Sequence, residues 1–372
     1  IISMIMRDDF DTLIVEKAKK AGIVLLENHK LKNITFGEDI TLHTSQGDVK
    51  SKFVIAADGA LRPTAKLTGW EETRYLIPAL EYEVEVSSED FDRLSKEVRF
   101  DFDAVPLGYG WSFPKKNHLS IGVASARRTK IDLKKHYKEY LRTLGITKVV
   151  NEEFHGFQIP VSPREDGFYR KNVMLVGDAA GFADPVTAEG ISNAILTGIM
   201  AAESLIESKL NSVKTEEIYN AKLNEVLLPE LKTGVFLSKL FYENEKARNF
   251  LMKKYGNRFS EAMTDVFMGE RSYPTDIKKK LMKKLKGVIF KSSYNLSLFF
   301  VVINSDCNFF IFSNKLKIVS IPSKLISSSL CIRIIFSISL ALSLWTKRDC
   351  SIVIISIKPN SFKLVKNDIS TL

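Results

Sequence analysis

Hydrophobic spacing divides the chain into elements before any chemistry is considered. Residues 1–6 are an apolar, strand-like run. Over residues 7–22 the apolar side chains Phe10, Leu13, Ile14, Ala18 and Ala21 recur at three- and four-residue spacing, which predicts an amphipathic helix capped by Asp8 or Asp9 and ended by Gly22. Short β-type runs follow at 23–27, 39–44 and 52–56, with Gln46-Gly47-Asp48 as a turn and a Pro63-containing helical stretch behind them. Runs at 79–86, 97–102, 108–113 and 118–124 alternate or are rich in aromatics, and predict a half-buried antiparallel sheet. A helix at 132–144 and a strand ending at Pro160 come next. Residues 173–176, Val-Met-Leu-Val, are wholly apolar, as in a buried parallel strand, and lead into a long helix from about Gly190 to Ser208. Residues 215–287 are mostly helical by pattern.

Composition adds limits. The chain has 372 residues, 45% hydrophobic and 26% charged, which excludes wholesale disorder, collagen and disulfide scaffolds. The net charge of +10 is unevenly placed: residues 288–372 hold ten Lys/Arg against three Asp/Glu, a surplus of seven, which leaves about +3 for the rest. No nucleic-acid partner follows from so neutral a body. No Gly follows Gly287, no Glu follows Glu270, and all three cysteines (Cys307, Cys331, Cys350) lie near the end, so a boundary is expected near residue 288. The cysteine-free body offers no disulfide and no thiolate metal site, and no metal ligand set is assigned. The chain starts at Ile1 without a signal peptide and reads as an N-terminal truncation.

Three places can carry chemistry. Gly177-Asp178-Ala179-Ala180-Gly181, between a buried strand and the helix opening at Glu189-Gly190-Ile191, combines small residues with unpaired helix N–H groups. It suits an anion, or a ring that becomes anionic. An ordinary tight turn with Asp178 as a cap is the plainer alternative. Ala56-Ala57-Asp58-Gly59 ends another apolar strand, where a carboxylate can accept from sugar-like hydroxyls, although such turns are common loop punctuation. Arg7, at a strand-to-helix junction, can fork a diphosphate, or simply be salt-bridged.

In order and spacing these pieces resemble the geranylgeranyl reductase family, within the para-hydroxybenzoate hydroxylase-like flavoproteins. Arg7-x-x-Phe10-Asp11 with Leu13, Ala18 and Gly22 is similar to the family's post-strand helix, and Ala57-Asp58-Gly59 to its second flavin motif. Residues 177–181 with Pro185, Glu189, Gly190 and Ile191 resemble its third motif, and Tyr109-Gly-Trp111-Ser-Phe113-Pro114, followed by Gly122, matches its YxWxFP signature. The resemblance covers roughly residues 1–290 and implies an α/β fold: an incomplete FAD-binding Rossmann-like domain (1–72 and 166–210), an antiparallel-sheet substrate domain (73–165) and C-terminal helices (211–290). Residues 291–372 stay unassigned, read either as a poorly packed extension or as translation in a wrong frame or past a stop.

The resemblance further implies that Arg7 meets the FAD diphosphate or ribityl chain, a main-chain group near Leu31 meets the adenine, and Asp178 bonds the ribityl hydroxyls. Asp58 and Gly59 form the second motif, while Gly190 and Ile191 offer N–H groups to the N1/C2=O edge of the ring. That edge is negative in reduced flavin, which a helix start favours. Tyr109, Trp111 and Phe113 would shape an apolar cavity for an isoprenoid chain. The family's GxGxxG unit and its ribose-binding acid are absent, which implies poor cofactor retention by this chain alone. Ala188 and Ala124 stand where the family has glycines.

The implied activity is hydride transfer from reduced FAD to a prenyl double bond, with NAD(P)H or a reduced iron–sulfur protein as electron donor. A flavin-dependent halogenase or monooxygenase is one alternative, and an inactive remnant that binds no flavin is another. The partner is a prenyl lipid or prenyl diphosphate; no catalytic side chain and no oligomeric state are assigned. Residues 276–290 form a basic amphipathic pattern compatible with peripheral membrane contact or with an ordinary solvated helix, and the location is cytoplasmic or peripheral on a membrane. Residues 325–345 are apolar enough to raise a transmembrane reading, against which Arg333 and many serines weigh.

Overall fold

The computed structural model describes residues 4–245 apart from Arg62, Arg128 and Thr129, and a few single residues from Arg248 to Tyr273. The basic stretch 276–290, the apolar stretch 325–345 and the tail after 290 lie outside the described residues. Two compact units share the chain. Among the described residues, the first holds Arg7–Arg74 and Ser162–Lys232; the second holds Tyr75–Val161 together with Met4–Met6 and the residues from Thr233 onward.

In the first unit, α1 (Arg7–Lys20) buries Asp11, Ile14, Val15 and Ala18. Leu13, expected on that face, is 53% exposed. Asp8 and Asp9 sit inside the first turn, where they complement the helix dipole and do not cap it. Gly22 (φ +88) ends the helix, with Ile23 N–H donating to the Ala18 carbonyl and Gly22 N–H to Lys19. The strand expected at 23–27 does not form; its alternation finds no pairing partner, and the β structure begins later. β1 (Leu31–Phe36), β2 (Ile40–Thr44) and β3 (Gly47–Ser51) make an antiparallel meander, the last pair joined through Ser45-Gln46.

β4 (Val54–Ala56) is followed by α2 (Pro63–Thr68). Late in the chain β10 (Tyr169–Arg170) and β11 (Val173–Leu175) add to the sheet, in the order β10-β11-β4. A single turn of helix, α5 (Gly177–Ala180), precedes α6 (Ile191–Glu207) and α7 (Ser212–Lys222). A π-helical turn at Leu223–Leu227 leads into α8 (Leu228–Glu243). The core joins Val173, Met174 and Leu175 to Phe182, Ala201, Tyr219 and Leu231, all fully buried. The Tyr219 hydroxyl donates to the Leu175 carbonyl at 2.7 Å, so the tyrosine's polar end is satisfied inside the core.

The second unit is built on a five-stranded antiparallel sheet. β5 (Leu76–Val86), β6 (Arg99–Phe102), β7 (Gly108–Pro114), β8 (Leu119–Ser125) and β9 (Val149–Pro160) lie in the order β6-β7-β8-β5-β9. Two helices accompany them. α3 (Ser88–Leu94), which hydrophobic spacing does not reveal, starts at the Ser87 cap, and α4 (Leu133–Thr143) starts at Asp132, whose side chain accepts from the Lys135 N–H. β8 is buried at every residue, where a half-buried strand was expected. The reason is packing on both faces: Tyr137, Tyr140 and Leu144 join Ile121 and Val123 in one cluster, while Trp111 lies over Gly122. The apolar run before Arg7 is not a strand over Met4–Met6; the Ile5 carbonyl accepts from Lys115 Nζ instead of a ladder amide.

Candidate functional site

Parallel pairing of β11 with β4 builds the site in the first unit. Val173, Met174 and Leu175 lie opposite Val54, Ile55 and Ala56, and the Val176 N–H extends the ladder to the Ala56 carbonyl at 3.1 Å. Both strands therefore end at one level. Asp58-Gly59 and Gly177-Asp178 leave the carboxyl ends of neighbouring parallel strands, the place where open α/β sheets bind ligands.

The 177–181 turn is held from several sides. The Gly177 N–H donates to Thr197 Oγ1 at 3.1 Å, and the Phe182 N–H returns to the Gly177 carbonyl at 3.1 Å. Gly181 (φ +81) closes α5, and a Cβ there would fall 2.2 Å from the Ser162 carbonyl oxygen, so only glycine fits. Downstream, Asp184 Oδ1 accepts from the Val186 and Thr187 N–H groups at 2.9 and 2.7 Å, an Asx-type turn that delivers the chain to α6.

Asp178 is half-buried, and no described residue donates a hydrogen bond to its carboxylate. Burial pushes its pKa up to about 6; Arg74 and Arg7 oppose that rise and Glu189 adds to it. Gly190 caps α6, and a Cβ there would stand 3.2 Å from Asp178 Oδ1, so the bare helix start directly faces the carboxylate. Asp178 itself caps no helix, since α5 starts without a side-chain cap.

The remaining expected residues fall into place unevenly. Arg7 is bound by Asp11, with two contacts of 3.2 Å, and still lies near enough to act on Asp178. Asp58 is divided in use: Oδ2 accepts the Thr64 N–H at 2.6 Å in the first turn of α2, while buried Oδ1 has no hydrogen-bond partner among the described residues. Burial raises the Asp58 pKa, against the opposing Thr64 hydrogen bonds and the Arg74 charge. Leu31 opens β1 and is buried in the core, with a register shift between it and Asn33. At α6 the Glu189 carboxylate takes the Ser192 N–H at 2.9 Å and is further steadied by the Ile191 N–H. An amide expected to face a bound ring thus already holds an internal anion.

Tyr109, Trp111 and Phe113 belong to the second unit, on one face of β7. Tyr109 and Trp111 are buried, their rings 5.8 Å apart, and Phe100 stands 5.7 Å from Tyr109 and 5.1 Å from Phe113. Gly122, opposite Trp111 in the register, is required there, because a Cβ would come 2.1 Å from Trp111 Cζ2.

Sequence reasoning missed Glu72, Arg74, Arg164 and Asp166, which lie behind the two turns. Their one visible signal is spacing, Glu72-x-Arg74 and Arg164-x-Asp166, each an arginine two residues from a carboxylate. The site fits the sugar-alcohol part of a flavin dinucleotide: a carboxylate with no donor among the described residues, a buried Asp58 oxygen likewise without one, and a side-chain-free helix start.

No family model matches the chain. Among curated proteins it is 27% identical over 248 residues to an uncharacterized protein of Methanosarcina barkeri, covering 66% of this chain and 62% of that one. It is 29% identical over 301 residues to the chloroplastic geranylgeranyl diphosphate reductase of Arabidopsis thaliana, covering 73% and 63%. The digeranylgeranylglycerophospholipid reductase of Methanosarcina acetivorans is 26% identical over 257 residues, covering 63% and 61%. The chain thus spans a little over three fifths of the length of these relatives. A solved geranylgeranyl bacteriochlorophyll reductase-like protein from Thermoplasma acidophilum shares the fold with a TM-score of 0.54 at 24% identity, covering 63% of this chain and 62% of that structure. The chain is therefore similar in sequence to proteins named geranylgeranyl diphosphate reductase and digeranylgeranylglycerophospholipid reductase, and in fold to a geranylgeranyl bacteriochlorophyll reductase-like protein.

Proposed function

We propose that this chain carries the flavin-holding turns and the substrate sheet of an FAD-dependent reductase that saturates double bonds in prenyl (geranylgeranyl) chains. One observation carries the proposal: the Asp178 carboxylate, half-buried without a donor among the described residues, faces the bare start of α6. FAD, when bound and reduced, would supply hydride to one alkene carbon, and a proton drawn ultimately from solvent would complete the neighbouring carbon. Around the flavin Asp178 accepts hydrogen bonds from ribityl hydroxyls, Arg7 offers charge to the diphosphate or ribityl chain, and the main chain near Leu31 meets the adenine. Asp58 Oδ1 takes a further hydroxyl, with Gly59 keeping the turn tight. The Gly190 and Ile191 amides serve the electron-rich edge of the ring, which requires the Glu189 carboxylate to give up its hold on Ile191.

An isolated alkene offers no charge for a side chain to grip, so the chain's contribution is positioning and exclusion of water, with no proton-donating side chain assigned. Tyr109, Trp111 and Phe113, clustered with Phe100, supply apolar surface for a prenyl chain. A prenyl lipid substrate brings the protein to a membrane surface as a peripheral visitor; no helix among the described residues is long and apolar enough to cross a membrane.

The test is anaerobic incubation with excess FAD and geranylgeranyl diphosphate or a digeranylgeranyl lipid, using NAD(P)H or a reduced iron–sulfur protein as donor. Mass spectrometry should show two hydrogens gained per reduced double bond. Oxygen consumption with a hydroxylated or chlorinated product would replace the proposal with a monooxygenase or halogenase.

A further inference from the structure

Four charged side chains meet behind the two turns. The Arg74 side chain is 0% exposed, and its Nε and Nη2 fork the Glu72 carboxylate at 2.8 and 2.7 Å. Nη2 also donates to the Ala60 carbonyl at 2.7 Å, and Nη1 donates to the Asp178 carbonyl. Arg164, equally buried, holds Asp166 at 3.1 Å and stands 4.0 Å from Glu72, while its N–H donates to the Ala180 carbonyl at 3.0 Å.

Burying a guanidinium costs several kcal/mol unless its donors are matched in a fixed fork. Here the matching partners are the main chains of both candidate turns. Ala60 is 14 residues from Arg74 and Asp178 is 104 away, so a single planar group ties the two turns together beyond the point where the β4–β11 ladder ends. A Lys keeps the charge but cannot reach Ala60, Asp178 and Glu72 together.

We propose that Arg74 is the positioning residue of this site, tying the Ala60 and Asp178 carbonyls together and so setting the spacing at which the Asp58 and Asp178 carboxylates meet a ligand's hydroxyls. The proposal rests on the ligand-binding role given to this site above. Glu72 orients the guanidinium, and the Arg164–Asp166 pair holds the returning chain against the same turn.

Charge gives the test its sign. The groups acting on Asp178 are Arg74, Arg7 and Glu189, and Glu72 neutralises Arg74. Arg74→Met should therefore move the Asp178 titration midpoint above about 6, and Glu72→Gln should move it below, although both changes break the same ion pair. Arg74→Lys keeps the charge and should leave the midpoint in place while loosening the turn.

Carboxyl-carbon NMR on the FAD-free protein reads the midpoints, amide hydrogen exchange at Ala180 and Gly181 reads the turn, and an FAD titration near neutral pH reads affinity. Both Arg74 variants should weaken FAD about tenfold or more and speed exchange in the turn. Arg93→Lys is the control, since Arg93 ties the Leu144 carbonyl at 2.8 Å in the second unit; it should leave all three readouts unchanged. Midpoints that do not split, or an Arg74→Lys protein with wild-type FAD affinity and turn exchange, would overturn the proposal. Should Arg74→Met fail to fold, Glu72→Gln and Arg74→Lys decide between the same outcomes. If the midpoints split and exchange quickens while even the wild type ignores FAD, the clamp stands and the flavin assignment falls.

Discussion

Asp178 is asked to be ionised in a place that disfavours ionisation. Its pKa rises from 3.8 to about 6 through burial, so this group stabilises the folded state below the ordinary carboxylate range, and that contribution is lost as pH rises through about 6. Asp178→Asn removes the penalty. Without ligand the variant should melt roughly 2 to 4 °C above wild type at pH near 8, from a gain on the order of 1 kcal/mol, and show no advantage below about pH 4. The same change should cost FAD affinity, the trade expected where a site stores instability for function. In the wild type, FAD binding should weaken as pH falls through about 6, because a protonated carboxyl accepts hydroxyl donors less well. Equal melting of variant and wild type at both pH values would contradict this account of Asp178. Ala188 carries a different strain. It sits at φ +58, a backbone region that favours glycine, so Ala188→Gly should raise stability by about 0.5 to 1 kcal/mol in urea unfolding.

Among the elements, β7 and β8 depend on each other through a missing methyl. In Gly122→Ala the new Cβ would meet Trp111 Cζ2 at 2.1 Å and the Leu80 carbonyl oxygen at 2.5 Å. Neither can move freely inside a fully buried strand, so a loss of about 2 to 3 kcal/mol is expected, with a changed tryptophan emission as the indole shifts. β7 is legible in the sequence because its aromatic residues alternate with period two, and α1, α4 and α6 because their apolar residues recur at helical spacing. Leu31–Phe36 and Gly47–Ser51 are not, since each exposes several polar residues and is fixed mainly by its neighbours in the meander. Ile23–Glu27 misled for the converse reason: alternation without a partner leaves the ladder unsatisfied. The nearness of Asp178 to Gly190 was visible as motif spacing, whereas Arg74 was not, because its partners are carbonyl groups that carry no residue identity.

At the scale of the whole molecule, the parallel register of β4 and β11 is what converts two unremarkable glycine turns, far apart in sequence, into one site. The deciding measurement has to register weak cofactor binding as well as tight. Amide NMR during titration of the labelled protein with FAD does so. The account predicts saturable shifts confined to the 177–181 turn, the Asp58-Gly59 turn and the Gly190-Ile191-Ser192 helix start, reduced in Asp178→Asn. Shifts centred elsewhere, or none as FAD reaches millimolar concentration, would contradict the claim that this site holds a flavin.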